Sequence, residues 1–451
     1  MRGDPASTEV AAVTHDSRAL VPGALFCCVP GVHVDGHEFA AEAVEAGAVA
    51  LLCERVLPLE VTQVMVGDAR AAMAPVAAAF WDHPSRHLDV VGITGTNGKT
   101  TTAHLLGAVL EAGGRRTGVI GTLSGERTTP EAPDLQLRLA AFRDEGATAV
   151  AMEVSSHALA LHRADATWFA VAVFTNLSQD HLDFHGSMDD YFEAKATLFD
   201  PTRAAVAVVN ADDTGGRRLL DRARLPTRPF SLQDAADLQV GPLASTFRWE
   251  GQRVRLKLGG RFNVVNALAA AAAARELGVA PADVARGLSS ATPVPGRFES
   301  VDGGQPFAVV VDYAHTPAGL EEVLQAAAEA GEGRVLLVFG CGGDRDRAKR
   351  PEMGEVATRL ADLAVLTSDN PRGEDPLAII EGVRSGVARA EVLRVEPDRR
   401  AAIALALAAA APGDVVVIAG KGHETEQRFA GHGVPFDDRV VARQELDRLR
   451  P

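Results

Sequence analysis

Short runs of wholly apolar, β-prone residues, spaced out by helical stretches, constrain this chain more than any other feature. Val90-Val91-Gly92-Ile93, Val150-Ala151-Met152, Val171-Ala172-Val173-Phe174, Val206-Ala207-Val208-Val209, Val335-Leu336-Leu337-Val338-Phe339 and Val415-Val416-Val417-Ile418 carry no polar face. Strands of that kind must be covered on both sides, as in parallel sheets clad by crossover helices. The Ala/Leu/Glu-rich segments between them supply the helices, so the expected class is α/β. Ala267–Ala274 and Ala401–Ala411 are too short to span a bilayer and read as buried helices. At about 150 residues per domain, 451 residues suggest about three domains. Two Pro-containing segments, His83-Pro84-Ser85-Arg86 and Thr292-Pro293-Val294-Pro295-Gly296, fall where limits are needed and predict domains 1–87, 88–294 and 295–451. Leu243 to Leu258 alternates apolar and polar residues, which predicts an antiparallel hairpin in the middle domain.

With 47% hydrophobic and 23% charged residues the chain has the balance of a soluble globular protein. Its 45 Lys+Arg against 60 Asp+Glu leave −15, which argues against binding along a nucleic-acid backbone. A local cluster of Lys, Arg and backbone amides can still bind phosphate on an acidic protein. Cys27, Cys28, Cys53 and Cys341 show no CxxC spacing, so reduced thiols in the core are expected rather than a zinc ribbon or disulfide framework. Met1-Arg2-Gly3-Asp4-Pro5 leads into a polar stretch without the apolar centre of a signal peptide, so a cytoplasmic protein is expected.

The strongest local signal is Val90-Val91-Gly92-Ile93-Thr94-Gly95-Thr96-Asn97-Gly98-Lys99-Thr100-Thr101-Thr102, followed by helix-like Ala103-His104-Leu105-Leu106. A strand, a Gly-rich turn and a helix start surround a phosphate with backbone N–H groups and the positive end of the helix dipole. Lys99 would reach the terminal phosphates and the Thr100 hydroxyl would bind Mg²⁺. A strict GxxxxGK[ST] pattern would need Gly where Ile93 stands, so Gly95 is expected to supply the turn.

The segment Thr94-Gly95-Thr96-Asn97-Gly98-Lys99-Thr100-Thr101 resembles the Mur ligases, which build the peptide stem of bacterial peptidoglycan. Further segments match in order over nearly the whole chain. They include Met152-Glu153-Val154-Ser155-Ser156-His157, Thr175-Asn176-Leu177-Ser178-Gln179-Asp180-His181-Leu182-Asp183 and Tyr191-Phe192-Glu193-Ala194-Lys195. Phe262-Asn263-Val264-Val265-Asn266, Gly296-Arg297-Phe298-Glu299 and Asp312-Tyr313-Ala314-His315-Thr316-Pro317 follow. Gly340-Cys341-Gly342-Gly343-Asp344-Arg345-Asp346-Arg347, Asp369-Asn370-Pro371-Arg372 and Ala419-Gly420-Lys421-Gly422-His423-Glu424 complete the set. The resemblance implies a small α/β UDP-binding domain, a central P-loop-type ATPase domain with a mainly parallel sheet, and a C-terminal Rossmann-like domain. It also implies ATP-driven amide formation through an acyl phosphate.

Cations must screen a triphosphate approaching a carboxylate. By resemblance two Mg²⁺ ions serve with Lys99, and Thr100, Glu153 and His181 stand at ligand positions. Lys195 matches a lysine that carries a CO₂-derived carbamate, an anionic oxygen ligand for the metal. Its neighbours Tyr191 and Ala196-Thr197-Leu198-Phe199 predict an apolar setting that favours the neutral amine CO₂ requires. The resemblance places Asn263, Asn266, Arg297, Asp312 and His315 around ATP, with helix capping as a second reading of the Asn pair.

For the UDP-N-acetylmuramoyl-L-alanyl-D-glutamate substrate it implies Ser17, the loop Gly31 to His37, then Thr128, Thr129, Ser155 and Arg163. Leu161 stands where the family often has Gln, and the short run before Thr14 is read as a trimmed or misassigned start. Asp369-Asn370-Pro371-Arg372 matches members that add diaminopimelate, with the meso isomer favoured over LL. A planar guanidinium at Arg372 can clamp the second carboxylate of that amine, a group lysine lacks. Pro371 restricts the turn, and Arg345, Gly420 and Glu424 complete the expected pocket, Glu424 facing the distal ammonium. The expected protein is a monomer without nucleic-acid partner or membrane insertion. Its rivals are other Mur ligases, folylpolyglutamate synthase and a nucleotide-binding scaffold lacking ligase chemistry; the last need not keep Lys99, Glu153, His181 and Lys195 together.

Overall fold

The computed structural model describes residues 8–31, 34–125, 127–241 and 243–449; Met1–Pro5 and two positions of the predicted substrate loop, Val32 and His33, lie outside the described residues. The first sheet contains β1 (Ala12–Thr14), β2 (Ala24–Cys27), β3 (Ala50–Cys53) and β4 (Thr62–Met65), all parallel and in that order. One face packs Leu25, Cys27 and Leu52 on Met73 and Ala74 of helix Ala69–Phe80; the other packs Phe26 and Leu51 on Ala40 and Ala43 of helix Ala40–Glu45. All four cysteines are buried and free, and burial pushes the Cys28 and Cys341 thiols up to about 12, as inert core residues require.

The central sheet holds β5 (Asp89–Thr94), β6 (Thr117–Ile120), β7 (Ala149–Glu153), β8 (Phe169–Phe174), β9 (Ala204–Asn210) and β10 (Thr227–Phe230). Its order is β10-β9-β8-β5-β7-β6 and every pairing is parallel, with the phosphate-loop strand β5 held between β7 and β8. Helix Lys99–Ala112 and the Ala-rich helix Arg261–Glu276 share one core with this sheet, and Ala267–Ala274 are buried throughout. Alanine's methyl is too small to hold the axes apart, so close packing replaces amphipathicity here. The predicted hairpin is β12 (Ser245–Trp249) and β13 (Gln252–Leu256), to which β11 (Ala236–Val240) adds a third antiparallel strand. β11 also alternates apolar and polar residues (Ala236, Leu238 and Val240 against Asp237 and Gln239), yet none of its residues is fully buried.

The third sheet contains β14 (Glu299–Ser300), β15 (Ala308–Asp312), β16 (Val335–Phe339), β17 (Leu363–Leu366), β18 (Leu393–Val395) and β19 (Val415–Ala419). Its order is β14-β15-β19-β16-β17-β18, parallel except for β14, with apolar cores on both faces. A separate hairpin, β20 (Glu426–Phe429) with β21 (His432–Pro435), follows. The Ala401–Ala411 run forms part of helix Arg399–Ala409, which ends two residues earlier than the composition suggests. No helix among the described residues is long and apolar enough to cross a membrane. The phosphate loop, Glu153, Asp312, Asp369 and Gly420 all lie at or just past the carboxyl ends of β5, β7, β15, β17 and β19. Ligands of open parallel sheets bind along that edge.

Candidate active site

Ile93 lies inside β5, buried and paired with Glu153 and Val173, so a glycine there would have no turn to serve. The chain turns at Gly95, where φ is +151° and a Cβ would collide with the Thr175 hydroxyl. Gly98 (φ +83°) opens helix Lys99–Ala112 against the Asn266 amide. The loop is strapped to the segment after β8: Thr96 N donates to Asn176 O at 2.9 Å, Asn97 N to Asn176 Oδ1 at 2.8 Å, and Thr175 Oγ1 to Asn97 O at 2.7 Å. Lys99 Nζ donates back to the Gly95 and Thr96 carbonyls at 2.9 and 2.8 Å, and Thr101 is buried in the first turn. This strand, turn and helix N-terminus form a preformed phosphate cradle. Asn97 Nδ2, buried without a protein partner, lies in it.

Thr100 Oγ1 donates to Glu153 Oε2 at 2.9 Å, while Thr122 N and Oγ1 hold the same carboxylate at 2.8 and 3.3 Å. Arg297 reaches across from the third sheet's side and donates to Thr100 Oγ1 at 3.2 Å, with its guanidinium 4.4 Å over the Tyr313 ring. A hydroxyl and a carboxylate side by side beneath a phosphate loop suit Mg²⁺, which takes oxygen ligands and keeps several waters. The donor set therefore fits one such ion. Among the described residues no group of three His, Cys, Asp or Glu forms a metal cage by itself.

Lys195, on helix Met188–Ala196, is fully buried; its Nζ lies 4.4 Å from the Tyr191 ring centroid and donates to Gly95 O at 2.9 Å. Both Lys99 and Lys195 thus meet at one carbonyl oxygen. Burial, with Lys99 close by, pulls the Lys195 ammonium well below its ordinary range, so the neutral amine is favoured. Burial also lowers Lys99, with Glu153 and Asp180 acting in the opposite direction. His181 has left-handed backbone (φ +54°), packs edge-on to His157 at 4.6 Å and pairs with Asp180 at 3.3 Å. Asp180 itself is buried and faces His315 and Lys349 across the cleft, a role its sequence gave no sign of beyond belonging to the Thr175–Asp183 segment.

Asn263 is buried and donates to Gly259 O at 2.8 Å, and Asn266 Nδ2 meets Asn263 Oδ1 at 3.4 Å. Gly260, without a side chain, occupies the cap position, so the helix-capping reading of the Asn pair gives way to a brace one turn inside. Asp312 accepts the Phe298 and Ala314 amides, both at 2.7 Å, and burial raises its carboxyl. His315 Nδ1 meets Tyr313 O at 2.8 Å, and burial holds its ring at about 4, hence neutral near pH 7.

Toward the first sheet, Ser17 opens a short 3-10 helix capped by Asp16. In the predicted substrate loop His37 turns inward: Nδ1 meets Asp35 at 2.6 Å and Nε2 accepts from Glu54 N at 2.9 Å, a structural use. Thr128 Oγ1 pairs with Thr122 Oγ1 at 3.0 Å, Thr129 Oγ1 donates to Glu153 O at 3.0 Å, and Ser155 caps helix Ser156–Ala160. Arg163 pairs with Glu131 at 2.9 Å, a carboxylate also contacted by Arg70 and Arg127, and its Nε is buried without a partner. Leu161 ends that helix, half-buried.

At the third sheet Asp369 and Asn370 are buried after β17, and Gly420 lies against the Asp369 carboxylate. Asn370 Nδ2 donates to Glu424 Oε2 at 2.6 Å, and its Oδ1 accepts Arg428 N at 2.8 Å. Pro371 is buried beside Gly343, and Arg372 (φ +53°) donates to Gly343 O at 2.7 Å with exposed Arg345 nearby. Lys421, not singled out from sequence, is fully buried and contacts Asn370 Oδ1 and Glu424 Oε2, both at 3.4 Å, and Glu426 O. Arg399 and Asp438, 39 residues apart, form a buried pair behind these loops.

Family models match three consecutive stretches: Mur ligase family, catalytic domain over 9–87; Mur ligase middle domain over 93–274; and Mur ligase, glutamate ligase domain over 296–422. The chain is 48% identical to a UDP-N-acetylmuramoyl-L-alanyl-D-glutamate–2,6-diaminopimelate ligase of Streptomyces coelicolor, covering 98% of this chain and 94% of that protein. A protein of the same name from Syntrophomonas wolfei is 45% identical over 99% of this chain and 96% of its own length. A solved structure bearing that ligase name is 32% identical with a TM-score of 0.67, covering 98% of this chain and 96% of its own.

Proposed function

The chain belongs to the Mur ligase family, and from that premise we propose how it acts as an ATP-dependent, ADP-forming ligase. Its reaction adds 2,6-diaminopimelate to the D-glutamate of UDP-N-acetylmuramoyl-L-alanyl-D-glutamate in peptidoglycan precursor synthesis. The observation that carries the reading is the junction at Thr100. There the phosphate-loop helix, Glu153 at the end of β7 and Arg297 from the third sheet's side converge.

In this reading 1–87 binds the UDP substrate through Ser17, 88–294 binds ATP, and 295–451 binds the amine; each of the five sheets falls wholly within one of those limits, which supports them. Gly95 to Thr101 cradle the phosphates, and Lys99 exchanges its loop carbonyls for phosphate oxygens. Asn263, Asn266, Arg297, Asp312 and His315 surround the rest of the nucleotide. Thr128, Thr129, Ser155 and Arg163 hold the muramoyl-dipeptide beside it. Thr100, Glu153 and His181 would hold two Mg²⁺ ions with a carbamate on Lys195, and bound Mg²⁺ would neutralise charge on the transferring phosphoryl group. The buried amine of Lys195 beside a second lysine supports the carbamate, because CO₂ capture replaces a disfavoured cation with an anion.

The D-glutamate carboxylate oxygen forms a bond to the γ-phosphorus as the bond to the bridging oxygen breaks and ADP leaves. The deprotonated amine then attacks the acyl carbon, and inorganic phosphate departs. Arg372 with Arg345 would clamp the distal carboxylate of the amine and Glu424 its ammonium, with Asp369, Asn370, Pro371 and Gly420 shaping the wall. We read the protein as a monomer of the cytoplasm, the compartment of both nucleotide substrates. ADP release should require the UDP-muramoyl-dipeptide and diaminopimelate together. Comparing the meso and LL isomers with lysine reads the amine directly; the meso isomer is expected to lead, and equal turnover with lysine would overturn the assignment of Arg372.

A further inference from the structure

Tyr313 lies where the nucleotide end of the cleft meets the amine end. The Arg297 guanidinium, which also touches Thr100 on the phosphate-loop helix, lies 4.4 Å from its ring centroid. The ring of His423, in the loop that carries Glu424, is 5.2 Å away, and His315 packs edge-on at 4.7 Å. The amine loop is packed tightly against the base of this residue: a Cβ on Gly422 would lie 2.7 Å from Tyr313 Cβ and 2.7 Å from Gly296 O. The charges of Glu424, Asp369 and Arg372 all act on the Tyr313 phenol, which places it beside the amine pocket. Two buried polar atoms in this stack, Arg297 Nε and His423 Nδ1, have no protein partner. One belongs to the residue next to the phosphate loop and the other to the amine loop.

We propose that Tyr313 is a positioning residue that couples the two sites: Arg297, drawn to a nucleotide at the phosphate loop, sets the ring, and the ring sets the loop Gly422–Glu424 for the amine. A densely packed stack transmits such a change because it cannot deform gradually. The coupling must be reciprocal, so the amine should also tighten nucleotide binding by the same factor. This inference rests on the proposed identity of the two ligands.

The test is calorimetric titration of meso-diaminopimelate into the full chain, with the UDP-muramoyl-dipeptide and Mg²⁺ present, with and without β,γ-methylene-ATP. The analogue should tighten amine binding about tenfold, within the usual range for coupled sites. Tyr313→Leu should leave nucleotide affinity and nucleotide-free amine affinity within about threefold, while the coupling factor falls toward one. Tyr313→Phe, which keeps the ring, should retain it. His423→Ala, which leaves the ring but removes its partner in the amine loop, should reduce the factor at least about threefold. A wild-type factor of one, or an undiminished factor in both Tyr313→Leu and His423→Ala, overturns the proposal. If the wild type binds lysine but not diaminopimelate, the substrate assignment falls, and the coupling is then read with lysine.

Discussion

The Arg399–Asp438 pair offers a quantitative test of how the loops proposed to hold the amine are supported. Both side chains are 0% exposed, joined by Nε to Oδ1 at 2.8 Å and by a terminal guanidinium nitrogen to Oδ2 at 2.6 Å. The same guanidinium donates to Ala419 O at 3.0 Å and Ser368 O at 3.5 Å, the residues just before Gly420 and Asp369. Arg399→Met leaves the Asp438 carboxylate buried without its partner, which costs about 3–5 kcal/mol. In Arg399→Met with Asp438→Leu no charge remains, and the residual cost is about 1–3 kcal/mol from the two carbonyls that lose a donor. None of the tryptophans, Trp81, Trp168 and Trp249, lies in the cores of the sheet that carries this pair, so their fluorescence is a poor local probe of it. Hydrogen exchange of peptides from helices Arg399–Ala409 and Asp438–Leu449 does, and the single variant should accelerate exchange by about 140- to 4,000-fold. A single variant costing less than about 1 kcal/mol, or a double variant as damaged as the single, would refute the reasoning.

Lys195→Ala should reduce turnover at least about a thousandfold, with partial recovery on adding formate or acetate; an undiminished rate removes the carbamate from the mechanism. Arg372→Ala should raise the KM for diaminopimelate about 10- to 100-fold, as loss of a charged hydrogen bond implies, while the KM for ATP stays within about twofold. Gly95→Ala forces a methyl against the Thr175 hydroxyl and should weaken β,γ-methylene-ATP binding at least about tenfold by calorimetry; an unchanged Kd would show the loop adapts. Glu322, raised to about 7 by burial with Asp312 and Asp213 nearby, holds a proton in the folded state that the unfolded chain releases above about 4.5. Its ionisation therefore lowers stability as pH rises from about 4.5 through 7, and Glu322→Gln should raise Tm at pH 8 but hardly at pH 4.

What could be read from sequence was what lies contiguous in the chain. The strands around Val90, Val171 and Val415 declare themselves because both faces are buried, and the phosphate loop because its turn and helix start adjoin. Residues whose roles depend on distant partners stayed hidden. Arg399 and Asp438 find each other across 39 residues, and Asp180 gains its meaning from His315 and Lys349 on the other side of the cleft. Lys421 sat inside a recognised segment, yet only its burial against Asn370 and Glu424 distinguishes it from a surface lysine. His37 lies in the loop expected to face the substrate, and nothing in its sequence indicates that its ring turns inward to meet Asp35 and to accept from Glu54 N.

The placement of ligand-facing residues at the carboxyl ends of strands has an evolutionary consequence. On the proposed reading, phosphoryl transfer belongs to the rim of one sheet, in the turns after β5 and β7, and the choice of nucleophile to the rim of another, after β17 and β19. The strands beneath can drift among apolar residues without touching either. A lineage can therefore exchange the amine it accepts through a few substitutions on one rim, while the energy-coupling chemistry passes down unaltered on the other.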